Sequence, residues 1–78
     1  MAEVVPLCQA DMNRLLKVVR IEATQKEVVS KLKDLNIRRG SKIKVFQLSK
    51  NSPLMLAVGD ARVAIDYKLS YAIFVCNQ

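Results

Sequence analysis

Side chains capable of chemistry are scarce in this 78-residue chain, and the missing types narrow its function first. It has no His, and its two cysteines, Cys8 and Cys76, stand near opposite ends. Without imidazole the commonest general base and metal ligand is gone, and two thiols cannot complete a structural zinc site by themselves. Catalysis through a histidine dyad or triad is excluded. Two glycines, Gly40 and Gly59, are too few for a P-loop or a dinucleotide fingerprint. Asp60 and Asp66 read as turn-forming and solvating groups rather than as paired catalytic carboxylates. The sequence therefore predicts no enzyme and no cofactor. Weak transition-metal binding through carboxylates stays open, although a net charge of +6 works against it.

Charge and exposed apolar area remain as carriers of function. Residues 1–37 hold six Lys/Arg and five Asp/Glu, whereas residues 38–78 hold seven Lys/Arg and only Asp60 and Asp66. Arg38, Arg39, Lys42, Lys44 and Lys50 form a run without an acid, fitted to attract an acidic partner or a phosphate backbone. The alternative is a solvated strand edge whose lysines discourage aggregation. Phe46, Leu48, Met55 and Phe74 fall off the inward alternation or beside the chain end, as an exposed binding patch would, unless bulges turn some of them inward.

These side chains need elements to hold them. Thr24 and Glu27 have the Thr-x-x-Glu spacing of a capping box, and Val28, Val29, Leu32 and Leu35 then share one stripe. The spacing predicts a helix over Thr24 to Leu35, stopped by Asn36 in the left-handed region, with Ile37 packing back on the last turn. Strands are expected over Arg14 to Ile21, Ser41 to Leu48 and Ile73 to Cys76. Leu54 to Val58 and Ala61 to Ile65 form a hairpin around Gly59-Asp60, and Tyr67 to Ala72 makes a helical turn. Five short two-faced strands and one inserted helix are best closed into a small antiparallel barrel, the alternative being an open sheet packed on the helix. At this length one domain, 1–78 with its core over 6–76, is all the chain accommodates.

The longest uncharged stretch, Leu69 to Gln78, is half of what a bilayer crossing needs, and Val4 to Ala10 lacks the basic flank of a secretory signal. A cytoplasmic chain with reduced thiols is the expectation.

The segment Lys31-Leu-Lys-Asp-Leu-Asn-Ile-Arg-Arg-Gly40-Ser-Lys-Ile-Lys-Val45 resembles the Leu-x-x-Leu-Gly-(Ile/Phe/Met)-x-Pro-Gly-x-x-Ile-x-Val signature of the ferrous iron transport protein A (FeoA) family. Pro53 to Ile65 is similar to that family's hairpin, and Pro6-Leu7 followed by the strand from Arg14 to its opening. The resemblance covers Pro6 to Val75. Asn13 and Asn36 stand where the family usually has Gly, and Asn also reaches positive φ at modest cost. Arg39 replaces the usual Pro before Gly40, and Asp66 stands where a basic residue is common.

The resemblance implies an SH3-like barrel serving bacterial ferrous iron uptake in the cytoplasm. Its partner would be the large membrane transporter with a GTP-hydrolysing cytosolic domain (FeoB), which would hold it at the inner membrane. Binding, not catalysis, would be its work. Lys44, Phe46, Leu48 and Met55 are the contact candidates, because they combine apolar area with flanking charge. Weak self-association stays open. Two other readings are a metal-linked regulatory SH3-like domain and a basic nucleic-acid- or ribosome-binding barrel. Only Phe46, Tyr67, Tyr71 and Phe74 are available to stack on bases, so sequence-specific reading of RNA is not expected, and the leading reading has no nucleic-acid partner.

Overall fold

Alternation writes most of the sheet. Leu16 and Val18, Ile43 and Val45, Leu54, Leu56 and Val58, and Ile73 and Val75 are all buried, at every second position of their strands. The computed structural model describes residues 3–49 and 52–77, with the side chains of 47–49 and 52 outside the description. Its strands are β1 (Val5–Pro6), β2 (Leu15–Ile21), β3 (Lys42–Ser49), β4 (Ser52–Val58), β5 (Ala61–Ile65) and β6 (Ile73–Asn77), and its helix is α1 (Lys26–Asp34). Two 3-10 segments, Leu7–Gln9 and Tyr67–Ala72, complete it.

All strand pairs are antiparallel, and the sheet order is β1-β6-β2-β3-β4-β5. The sheet wraps one core, an SH3-like small barrel. Leu7 from the first 3-10 segment, Leu32 from α1 and Ile37 behind it join the strand residues, each at most 1% exposed. Each such side chain is worth about 1.5–3 kcal/mol when removed from water, so this core carries the fold. No helix among the described residues is long and apolar enough to cross a membrane.

Three sequence expectations need correction. A sixth strand exists: Val5 and Pro6 pair with Val75 and Phe74 on the outer side of β6. A two-residue strand is too short to show alternation, which is why periodicity missed it. The helix is also shorter than Thr24 to Leu35, and the capping box does not form. Gln25 is the N-cap, without a side-chain cap bond, which puts Glu27 at the second helical position rather than the third. The cause lies upstream, where Glu22 N–H donates to Ala72 C=O at 2.7 Å and keeps the chain extended past the end of β2. Glu27 still favours the helix N-terminus through its charge. Finally, β3 lies between β2 and β4, so Lys42 and Lys44 do not guard a sheet edge.

The helix stop forms as its residues require. Asn36 has φ 61°, its N–H donates to Lys33 C=O at 2.9 Å, and Ile37 N–H donates to Leu32 C=O at 2.9 Å. This is the Schellman pattern, with Ile37 and Leu32 buried together. Ser41 then fixes the loop: its Oγ accepts from Arg38 N–H at 3.1 Å and donates to Asn36 C=O at 3.2 Å. Gly40 N–H reaches Val18 C=O at 2.8 Å with φ 93°, tying the loop to β2. Asn13 has φ 61° as well, and its N–H donates to Val45 C=O at 2.8 Å.

Candidate interaction face

Residues between the buried ones point out of the barrel, and register decides which of them meet. Leu15 is opposite Lys44, and Lys17 is opposite Lys42. Lys44 is also opposite Ala57, and Ala57 is opposite Arg62. Met55 is opposite Ala64. The outer face of β2 to β5 thus carries Lys17, Lys42, Lys44 and Arg62 with no acidic residue among these positions.

Apolar side chains are set into this cationic surface. Phe46 is 38% exposed and Met55 36%, and Leu15 is 48% exposed on the adjoining strand. A register shift between Val45 and Gln47 makes Phe46 the extra residue of a bulge. The bulge leaves the ring on the surface instead of turning it inward. Small neighbours, Ala57 and Ala64, keep the floor between Phe46, Met55 and Arg62 low. The Arg62 guanidinium lies over the Phe46 ring, 5.1 Å from its centroid. The surface therefore offers an aromatic face, a thioether and several cations, a combination suited to an acidic partner with apolar side chains.

Of the four contact candidates, Lys44, Phe46 and Met55 come together here, and the Leu48 side chain lies outside the described residues. Phe74 does not join them. It sits on β6, separated from β3 by β2, half-buried with the Arg20 guanidinium 4.5 Å from its centroid. Leu15, Lys17 and Arg62 were not singled out from the sequence, although their alternation with Leu16, Val18 and Val63 carries the signal.

The rest of the molecule offers little chemistry. Among the described residues no three His, Cys, Asp or Glu side chains gather as a metal ion would need. Cys8 is a buried thiol and Cys76 a half-buried one. Tyr67 packs edge-on against Tyr71, ring centroids 5.6 Å apart. Burial raises the Tyr67 phenol above its usual 10.0, with Tyr71 and then Cys8 adding to the shift. That constellation is structural, tying the second 3-10 segment to the first. A polar cavity of about 240 Å³ beside β1, lined by Glu3, Gln9, Asp11 and Asn77 among others, has an open mouth and no cation among its lining.

The family model described as the FeoA domain matches residues 5–76. The chain belongs to the FeoA domain family. The crystal structure of an iron uptake regulatory protein (FeoA) superposes on this FeoA-family chain with a TM-score of 0.88 and 26% identity, covering 97% of this chain and 100% of that one. A FeoA-like protein from Clostridium acetobutylicum gives 0.78 at 21% identity, over 96% of this chain and 87% of that one. A manganese-dependent transcriptional repressor gives 0.90 at 16% identity, over 100% of this chain but 44% of the repressor, a likeness of fold alone. No curated protein sequence matches the chain.

Proposed function

We propose that this FeoA-family chain serves ferrous iron transport as an interaction module, docking through the outer face of β3 to β5 on the cytosolic part of the FeoB-type membrane transporter. Membership of the FeoA family supports the role in iron transport. The exposed pair of Phe46 and Arg62, beside Lys44 and with no acidic residue within β3 to β5 themselves, supports the surface. Aromatic and Arg side chains carry a disproportionate share of interface energy, and flanking lysines raise the encounter rate with an acidic partner. The protein binds rather than catalyses, and it reaches the inner membrane only through this partner.

Direct binding of the purified chain to the purified, detergent-solubilised transporter tests the reading. Association that weakens about thirtyfold in Phe46→Ala, the scale of a central aromatic contact, supports both role and surface. Equilibrium dialysis against ferrous ion separates this reading from direct metal sensing, which requires stoichiometric uptake by the chain alone.

A further inference from the structure

The sheet ends on β5, which pairs with β4 on one side and, among the described residues, with no strand on the other. Its open edge has a defined hydrogen-bonding pattern. Val58 and Ala61 flank the two-residue turn Gly59-Asp60, so they are the closing hydrogen-bonded pair of the hairpin. Alternation then assigns the N–H and C=O of Ala61, Val63 and Ile65 to β4, and leaves those of Arg62 and Ala64 directed away from it. Asp66 continues the strand with φ −64° and ψ 144°, and Arg62, Ala64 and Asp66 are all exposed. Lys and Pro, the usual protectors of an edge, are absent from Ala61–Ile65.

We propose that this edge pairs antiparallel with the β5 edge of a second copy of the chain, in the register centred on Ala64. Only pairings that bring together the outward-directed residues at 62, 64 and 66 can form the ladder; centring on Ile65 or beyond runs it into the 3-10 segment Tyr67–Ala72, and charge and ladder length select among the rest. Centring on Val63 sets Asp60 against the second copy's Asp66 at both ends. Centring on Arg62 sets two guanidinium groups against each other. Centring on Ala61 keeps just one short stretch of ladder. Centring on Ala64 places Arg62 opposite the second copy's Asp66 at both ends, with Val63 opposite Ile65 between them.

Asp66 C=O already accepts from Leu69 N–H at 3.0 Å, so each end contributes one backbone bond and the central Ala64 pair contributes two. Neither Arg62 nor Asp66 has an ion-pair partner among the described residues, where the ion pairs are Arg14–Asp11 and Arg20–Glu22. Pairing with Asp66 draws the Arg62 guanidinium off the Phe46 ring, a cost that keeps the dimer weak. The two-fold axis would stand perpendicular to the sheet, so the cationic faces of both copies would lie on one side as a doubled surface.

Sedimentation equilibrium of the full chain, up to about 1 mM, reads the association. The wild type is expected to dimerise, and Arg62→Asp and Asp66→Arg are each expected to weaken the dimer about tenfold or more by setting like charges opposite each other. The double variant Arg62→Asp/Asp66→Arg restores the opposed charges and the dimer. Circular dichroism on each variant confirms that the monomer is folded, and the restored dimer excludes a folding defect as the cause. A strictly monomeric wild type, a dimer indifferent to either single change, or a double variant that stays monomeric overturns the proposal. Because no transporter is present, this outcome is independent of the docking reading above.

Discussion

The Arg62 guanidinium sits 5.1 Å from the centroid of the Phe46 ring, reaching from β5 past β4 to a bulge in β3. The contact holds an aromatic ring at the surface and pairs it with a cation, while Ala57 and Ala64 leave room around it. An isolated pair of this kind contributes about 0.5–1 kcal/mol, too little to explain the fold but enough to shape a docking surface.

Phe46→Ser should leave the fold intact and weaken binding about thirtyfold, as Phe46→Ala does. The ring is 38% exposed, so its loss forfeits the Arg62 contact and part of its covered area, about 1 kcal/mol, which shifts Tm by about 4–8 °C in a chain this short. A thermal melt beside a binding titration reads both. A larger drop in Tm would mean the ring is packed, not presented.

Lys44→Glu reverses a charge in the middle of the outer face, between Leu15 and Ala57. The expected result is a slower association rate with the acidic partner, and a weaker dependence of that rate on salt. Stopped-flow or surface-based kinetics at two ionic strengths measure it. Unchanged rates would place the docking surface elsewhere.

Leu56→Ala acts on the core instead. Leu56 is fully buried, opposite Val45 and Val63 on the neighbouring strands. The cost is about 2–5 kcal/mol, against a total of about 4–12 kcal/mol for a chain of this length. Urea denaturation should show a midpoint far below that of the wild type, or a chain unfolded in buffer.

Asn36 has φ 61° at the helix stop, a conformation that costs an ordinary L-residue about 1–2 kcal/mol. Asn36→Ala should destabilise by about 1 kcal/mol, whereas Asn36→Gly should equal or exceed the wild type. The order of the three urea midpoints tests the backbone account without touching any contact of the core.

Tyr67 makes stability depend on alkaline pH. Its phenol is held above 10.0 in the folded chain, by burial first and then by Tyr71. The folded chain therefore keeps this proton at pH values where the unfolded chain has released it, so unfolding is favoured as pH rises above 10.0. Below that value the phenol is neutral in both states and adds no slope. The difference between wild type and Tyr67→Phe, in urea midpoints from pH 9 to 11, isolates the effect; parallel curves would remove it.

Much of the architecture was legible in the residues, because Leu16, Ile43, Leu54 and Ile73 begin alternations that the sheet keeps. Asn13 and Asn36 were also readable, since few other residues reach positive φ. Thr24 and Glu27 misled, because the local pattern of a capping box carries no trace of the Glu22 to Ala72 bond that holds the chain extended there. The candidate face was legible by half. Phe46 and Met55 stand out as apolar residues out of phase, but Phe74 does too, and only strand order separates them. Arg62 was hidden because its place beside Phe46 follows from two strand registers and a bulge.

Binding of the wild-type chain and of Phe46→Ala to the purified transporter, measured side by side, decides whether the chain docks through the face around Phe46. Saturable binding by the wild type and a loss of about thirtyfold in the variant are expected. Equal affinity in the two, or no binding by the wild type in any nucleotide state of the transporter, would contradict docking through that face.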